Sequence, residues 1–233
     1  MGQMRAAMQR YNMIEENDRI AVGVSGGKDS LVLLYTLAEM RKFYPIKFDV
    51  VAITIDPCFG GVDGDYSKIQ QLCTDLNVEF ILKRSQIGQI IFEERKEKNP
   101  CSLCARMRRG LLHNLTLQAN CNKIALGHHF DDAVQTFFMN LFECGNIGCF
   151  SPVTYLSRKN IHMIRPMVFC EERHIAYVCN KLNLPVEKSK CPADGITQRQ
   201  HTKELIKNLE KNYPDLKKKV IGAIQRKNID NWG

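Results

Sequence analysis

Apolar, β-prone runs at 19–24, 48–55, 78–83 and 122–126 alternate with stretches of helical periodicity near 29–43, 64–76, 86–97 and 102–119. Strands spaced this way are far enough apart for helical crossovers, and the pattern predicts an α/β fold with a parallel sheet covered by helices on both faces. In such sheets a ligand lies beyond the carboxyl ends of the strands, where the segment after Val24, Asp56 and Gly127-His128 would emerge together. Further along, a helix is expected near 130–143 and a hairpin pairs Val153-Thr154-Tyr155 with His162-Met163-Ile164 around Arg158–Asn160. Helices near 171–182, 197–211 and 214–228 complete the chain. The reading is one compact unit in three stretches: an N-terminal helix in 1–17, a Rossmann-like nucleotide domain in 18–190 and a helical basic tail in 191–233.

The first strand runs into Ser25-Gly26-Gly27-Lys28-Asp29-Ser30, and Leu31, Val32, Leu33, Leu34 and Leu37 then continue as a helix. Two adjacent glycines let the backbone approach a bulky anion, and the first-turn N–H groups with the positive end of the helix dipole bind phosphate oxygens. The loop is shorter than the Walker loop, which needs four residues between its first glycine and Gly-Lys. A glycine turn with an Asp or Ser helix cap is the bland alternative.

Composition limits the setting. No segment approaches the ~18–20 uninterrupted apolar residues that a bilayer crossing needs. Residues Met1 to Asn17 carry Glu15 and Glu16 and lack the apolar centre of a signal peptide. The expectation is a cytoplasmic protein with no membrane partner. Ten cysteines in a reducing compartment serve as buried small hydrophobes, ligands or catalysts; Cys73, Cys121, Cys170 and Cys179 sit in apolar stretches and read as core. The formal charge is +8, and residues 181–233, with twelve Lys/Arg against six Asp/Glu, hold most of it. Arg199, Lys203, Lys207 and Lys211 recur at helical spacing, which suits a polyanion such as RNA as well as a solvated face.

Pro100-Cys101-Ser102-Leu103-Cys104 opens a helix that continues through Arg106, Arg108 and Arg109, so two thiols share a face near a positive dipole, a setting expected to lower thiol pKa. A lone Cys-x-x-Cys is compatible with zinc, redox and iron–sulfur roles alike. Cys191, before Pro192, is the candidate third thiolate; three thiolates on a [4Fe-4S] cluster would leave one iron open for sulfide or substrate. Gly127-His128-His129-Phe130-Asp131-Asp132 follows the fourth strand and opens a helix. Asp132 and Asp56 are carboxylates that could position substrate or hold Mg2+, or cap a helix or a turn.

Taken in order, Ser25–Ser30, Cys101–Gly110, Ala125–Asp132, Ile164-Arg165-Pro166-Met167 and the later Cys191 with Gln198-Arg199-Gln200 resemble the TtcA/TtuA group of PP-loop tRNA thiolases, over about residues 15–215. The match is closer to the 2-thiocytidine-forming branch, although Gln135-Thr136 looks more like the thiouridine branch. The resemblance implies an adenine nucleotide alpha hydrolase-like domain in which Ser25, Gly26, Gly27, Asp29 and Ser30 cradle ATP phosphates. It also implies adenine contact by the backbone of Ala52, Ile53 and Thr54, and nucleotide contact by Gly127 and His128. Asp56 and Asp132 are its positioning carboxylates, and Cys101, Cys104 and Cys191 the ligands of a [4Fe-4S] cluster. The implied reaction uses ATP with Mg2+ to adenylate a pyrimidine C2 oxygen in tRNA, and sulfur from a cysteine desulfurase or sulfide then displaces AMP; a homodimer is compatible with it. The alternatives are a 2-thiouridine-forming thiolase, a lysidine-type tRNA ligase, which needs no cysteine triad, and a non-enzymatic Fe–S or nucleotide sensor that binds RNA.

Overall fold

The computed structural model describes residues 1–95, 100–187, 190–192 and 198–233. Its centre is a six-stranded sheet of β1 (Asp18–Gly23), β2 (Phe48–Asp56), β3 (Glu79–Arg84), β4 (Lys123–Ala125), β5 (Val153–Leu156) and β6 (Ile161–Ile164). The spatial order is β3-β2-β1-β4-β6-β5, parallel throughout except for β5, which forms an antiparallel hairpin with β6 at one edge. The chain builds outward from β1 to β3 and then returns to place β4 on the other side of β1. That reversal opens a crevice between the ends of β1 and β4, the position where open α/β sheets hold ligands.

Strand side chains alternate between two cores, as the period-2 pleat requires. Ile20, Val22, Val50, Ala52 and Ala125 face one core, and Ala21, Val51, Ile53 and Ile124 face the other. The first core is covered by α1 (Gly2–Arg10), α2 (Lys28–Met40), α3 (Ser67–Asp75), α6 (Phe130–Cys144) and α7 (Glu172–Lys181), joined by α8 (Gln198–Asn212) and α9 (Leu216–Arg226). The second lies under α4 (Ile87–Gln89), the π-helical turn Ile90–Glu94 and α5 (Pro100–Gln118). Both chain ends enter the first core: Met4 and Met8 near one terminus and Ile224 and Trp232 near the other are at most 2% exposed. Trp232 Nε1 donates to the Phe150 carbonyl, and the Tyr11 hydroxyl donates to the Trp232 carbonyl, which fastens the two termini together.

The regular helix expected over 86–97 is instead one short α turn followed by the π turn, and its last two positions lie outside the described residues, as does Thr197, the expected start of α8. The first turn closely approaches the loop after β2. Gly88 N–H donates to Pro57 O at 2.8 Å, and a Cβ at Gly88 would sit 2.8 Å from the same oxygen. No helix among the described residues is long and apolar enough to cross a membrane.

Candidate nucleotide and thiol site

The phosphate loop is held open by its own side chains. Ser30, in the first turn of α2, accepts the Ser25 N–H on its hydroxyl oxygen at 3.1 Å and donates to Gly27 O at 2.9 Å. Gly26 has φ of +86°, in the left-handed region that favours glycine, and its carbonyl accepts the Glu187 N–H at 3.0 Å. The loop backbone is therefore set before any anion arrives. Ser30→Ala removes both hydroxyl bonds, and about 1.4 kcal/mol of lost organisation corresponds to tenfold. The expected result is ATP binding weakened roughly tenfold by calorimetry with the fold intact, at that same magnitude.

Beside the loop lies a cavity of about 400 Å³, walled by Ser25, Asp29, Ser30, Ile53, Gly127 and His128 on the sheet side and by Arg108 and Arg109 of α5 on the other. The His128 imidazole has its pKa pushed down to about 4, first by burial and then by the Arg165 guanidinium. It is neutral at physiological pH, which suits contact with a base or ribose better than with phosphate. Arg165 is itself buried; its guanidinium donates to Ser151 O and lies 5.1 Å from the centre of the Phe150 ring, which in turn packs against His128.

Of Ala52, Ile53 and Thr54, only Ile53 lines this cavity. The strand does not end there: β2 continues to Asp56, and all three residues are in register with β3. The Ile53 carbonyl already accepts the Val24 N–H at 2.9 Å. Ile55, beyond the last β1 partner, also lies on the cavity wall.

A second cavity of about 370 Å³ is walled by Ser25, Ile55, Asp56, Tyr66, Arg108 and Cys191, with Cys104 also on its surface. A third, of about 190 Å³, brings Cys101, Cys104 and Cys191 together with Phe92 and Arg108. Adjacent cavities share walls: Ser25, Ile55 and Arg108 between the first and second, and Cys104, Cys191 and Arg108 between the second and third. The phosphate loop and the three thiols thus belong to one continuous site.

Burial raises the Cys104 thiol pKa, outweighing Arg108, which lowers it; neighbouring Cys191 and Cys101 raise it further. That reverses the sequence expectation for this thiol, because desolvation of the charged form exceeds the help from the arginine. Among the described residues the three-ligand group whose atoms close to within 4.8 Å is Asp56, Cys58 and Asp63, not the three thiols. The three thiols line one cavity without closing to the spacing expected of ligands on a single tetrahedral ion.

Asp56 is buried, and its two carboxylate oxygens accept the N–H groups of Cys58 at 3.0 Å and Gly64 at 2.7 Å, tying down the loop after β2. Asp132 lines neither large cavity. It forms a reciprocal cap with His129, accepting the His129 N–H at 3.0 Å while His129 Nδ1 accepts the Asp132 N–H, and it pairs with Arg199 of α8 at 3.0 Å. Asp131, also buried, accepts the Glu172 N–H at 2.7 Å and pairs with Lys217 of α9 at 3.0 Å. Lys28 and Lys203 both pair with Glu172; burial opposes its ionisation, but the two lysines outweigh it and hold the carboxyl down to about 2. Three of the tail's cations, Arg199, Lys203 and Lys217, thus pair with the body of the fold. Arg108, Arg109 and Ile55 were not singled out as site residues in the sequence, because only the packing of α5 across the strand ends reveals them.

The family model for the PP-loop domain matches residues 3–185. Among curated proteins, the chain is 39% identical to the tRNA-cytidine(32) 2-sulfurtransferase of Geotalea uraniireducens, covering 94% of this chain and 87% of that protein. It is likewise 39% identical to the protein of that name from Geobacter metallireducens, covering 94% and 85%. Among solved structures, the U34-tRNA thiolase NcsA from Methanococcus maripaludis, with its [4Fe-4S] cluster, superposes with a TM-score of 0.77 at 26% identity, over 97% of this chain and 77% of that one. A glycine loop at the sheet's switch point, three thiols one cavity away and these likenesses agree: the chain belongs to the PP-loop family, among the tRNA-cytidine(32) 2-sulfurtransferases.

Proposed function

We propose that this protein is an ATP-dependent tRNA sulfurtransferase that replaces the C2 oxygen of a cytidine with sulfur, using a [4Fe-4S] cluster held by Cys101, Cys104 and Cys191. The observation that carries the reading is the continuity of the three cavities, from the phosphate loop past Arg108 to the thiols. In the first half-reaction the cytidine C2 oxygen attacks the α-phosphorus of ATP, an O–P bond forms and pyrophosphate leaves. In the second, a sulfide-level sulfur attacks C2, the C2–O bond breaks and AMP departs with that oxygen. Ser25, Ser30 and the first-turn N–H groups of α2 bind the phosphates and stabilise charge on the departing pyrophosphate. Arg108 reaches the boundary between the halves, where its guanidinium neutralises negative charge on the α-phosphate and the incoming sulfur. His128 and Ile55 bracket the nucleotide's uncharged part. When bound, the cluster supplies an iron without a protein thiolate, on which sulfur can be carried.

Asp29 in the first cavity and Asp56 in the second are the carboxylates available to the Mg2+ that accompanies ATP. Asp132 acts at one remove, by positioning α6 and α8. The sulfur comes from a cysteine desulfurase or from sulfide, and the cytoplasm, where thiols stay reduced, is the compartment that suits such a site. The test is anaerobic reconstitution with iron and sulfide, followed by incubation with tRNA, ATP and sulfide and nucleoside mass spectrometry. The expected product is 2-thiocytidine, with one AMP and one pyrophosphate released per sulfur inserted. Protein that stays colourless after reconstitution sinks the cluster assignment, and thiouridine as the product sinks the choice of base.

A further inference from the structure

Four of the twelve Lys/Arg in the tail are paired with carboxylates. Arg199 pairs with Asp132, Lys203 with Glu172, Lys217 with Asp131 and Glu210, and Lys218 with Asp215, all within 3.1 Å. Arg199, Lys203 and Lys217 fasten α8 and α9 to α6 and α7, whereas Lys218–Asp215 is local to the start of α9. A different set of cations has no carboxylate partner: among the described residues, Arg106 and Arg109 of α5 form no ion pair, and both are exposed. Arg109 also forms part of the wall of the nucleotide cavity, so the α5 face borders the place where the reacting base must arrive.

Two more observations mark this face. Gly110 stands in the middle of a 19-residue helix, is exposed, and would have no atom within 4 Å of an added Cβ. Glycine weakens a helix interior, and here no internal contact requires it; a surface without Cβ is what allows a close approach from outside. Lys159, in the exposed turn of the β5–β6 hairpin, donates to Asn114 of α5 at 3.1 Å and so sets a further cation at the end of the same stripe. His113, one turn beyond Arg109, has its pKa lowered by burial and then by both Arg109 and Lys159, so the two cations act on the same stretch of helix. Arg106, Gly110 and Asn114 are spaced four residues apart and lie along one face.

We infer that the exposed face of α5, with Arg106, Arg109 and Gly110 and with Lys159 from the hairpin, docks the sugar-phosphate backbone of the tRNA beside the reacting nucleotide, while α8 and α9 serve as a structural clasp. This rests on the tRNA substrate proposed above. Unpaired arginines supply the charge, and the glycine lets a backbone lie close against the helix.

The test measures tRNA binding to anaerobically prepared, cluster-loaded protein across a salt series. Arg106→Gln/Arg109→Gln is expected to weaken binding at least about tenfold and to lower the slope of log affinity against log salt by about two, one per arginine. Gly110→Gln is expected to weaken tRNA binding without lowering the melting temperature, whereas Gly110→Ala, which adds a single methyl, has a smaller effect. Lys207→Gln/Lys211→Gln, on α8, should bind tRNA like wild type. Visible absorbance and ATP affinity are read in parallel. Should the double arginine variant lose its cluster, Gly110→Gln and Lys159→Gln, which lie farther along from the thiols, decide the matter. Wild-type affinity in the α5 variants together with a loss in the α8 variant overturns the surface and leaves the proposed function standing. Wild-type protein that binds no tRNA at all overturns both.

Discussion

Cys191→Ala protein is expected to thiolate tRNA no faster than background, to lose its visible iron–sulfur absorbance, and to bind ATP as tightly as wild type. The separation follows from the geometry. Cys101 and Cys104 lie at the start of α5, and Cys191 comes from a separate segment that reaches the same cavity. In the proposed cluster three protein thiolates leave none to spare, so removal of one would leave two irons uncapped and exposed to loss. In the proposed function ATP contacts belong to the Ser25–Ser30 loop, whose backbone is held by the Ser30 hydroxyl. Anaerobic spectra, calorimetry with ATP and nucleoside mass spectrometry measure the three quantities separately. Cys144→Ala provides the contrast: Cys144 is exposed and lines none of the three cavities, so wild-type behaviour is expected. Wild-type thiolation by the Cys191 variant would remove the triad from the mechanism.

Lys123→Ala is expected to destabilise the fold by about 3–5 kcal/mol, the usual cost of leaving a buried charge without its partner. Lys123 Nζ lies 2.7 Å from the Asp18 carboxylate, with side chains only 4% and 2% exposed respectively. Nζ also donates to Met13 O at 3.2 Å and pairs with the exposed Glu15 at 3.0 Å. Asp18 has two further bonds, from the Glu15 N–H and Asn122 Nδ2, but neither supplies a full positive charge. The pair joins the amino ends of β1 and β4, opposite the functional crevice. Denaturant unfolding should show a large drop in midpoint at unchanged slope, and Lys123→Met combined with Asp18→Asn should recover much of the loss. If the single substitution costs under about 1 kcal/mol, water reaches this pair and its burial carries no energetic weight, the behaviour of a surface ion pair.

Much of the sheet was legible because its strands are short apolar runs with turns at their ends, and because each helix between them has an apolar face of the right period. The hairpin around Arg158–Asn160 was equally visible. The region 86–97 was only partly so: a local pattern suggested a regular helix, and its described part is one short α turn followed by a π turn. At Ile55, likewise, the sequence marks a strand but not where its neighbour stops pairing. In the basic tail, composition counts charges but does not show that Arg199, Lys203 and Lys217 have carboxylate partners elsewhere in the fold.

The order of motifs in the sequence determined the chemistry: a glycine loop after a strand binds phosphate, and two cysteines one turn apart with a third farther on call for a metal or cluster. These signals are local, since they depend on residues adjacent along the chain or on one helix. Only the tertiary structure decided that loop and thiols share one continuous site, that Arg108 stands at its boundary, that burial raises the Cys104 thiol, and which arginines are left unpaired. Each of these is set by distances between segments far apart in sequence and by exclusion of water, and neither quantity is written in the order of residues alone.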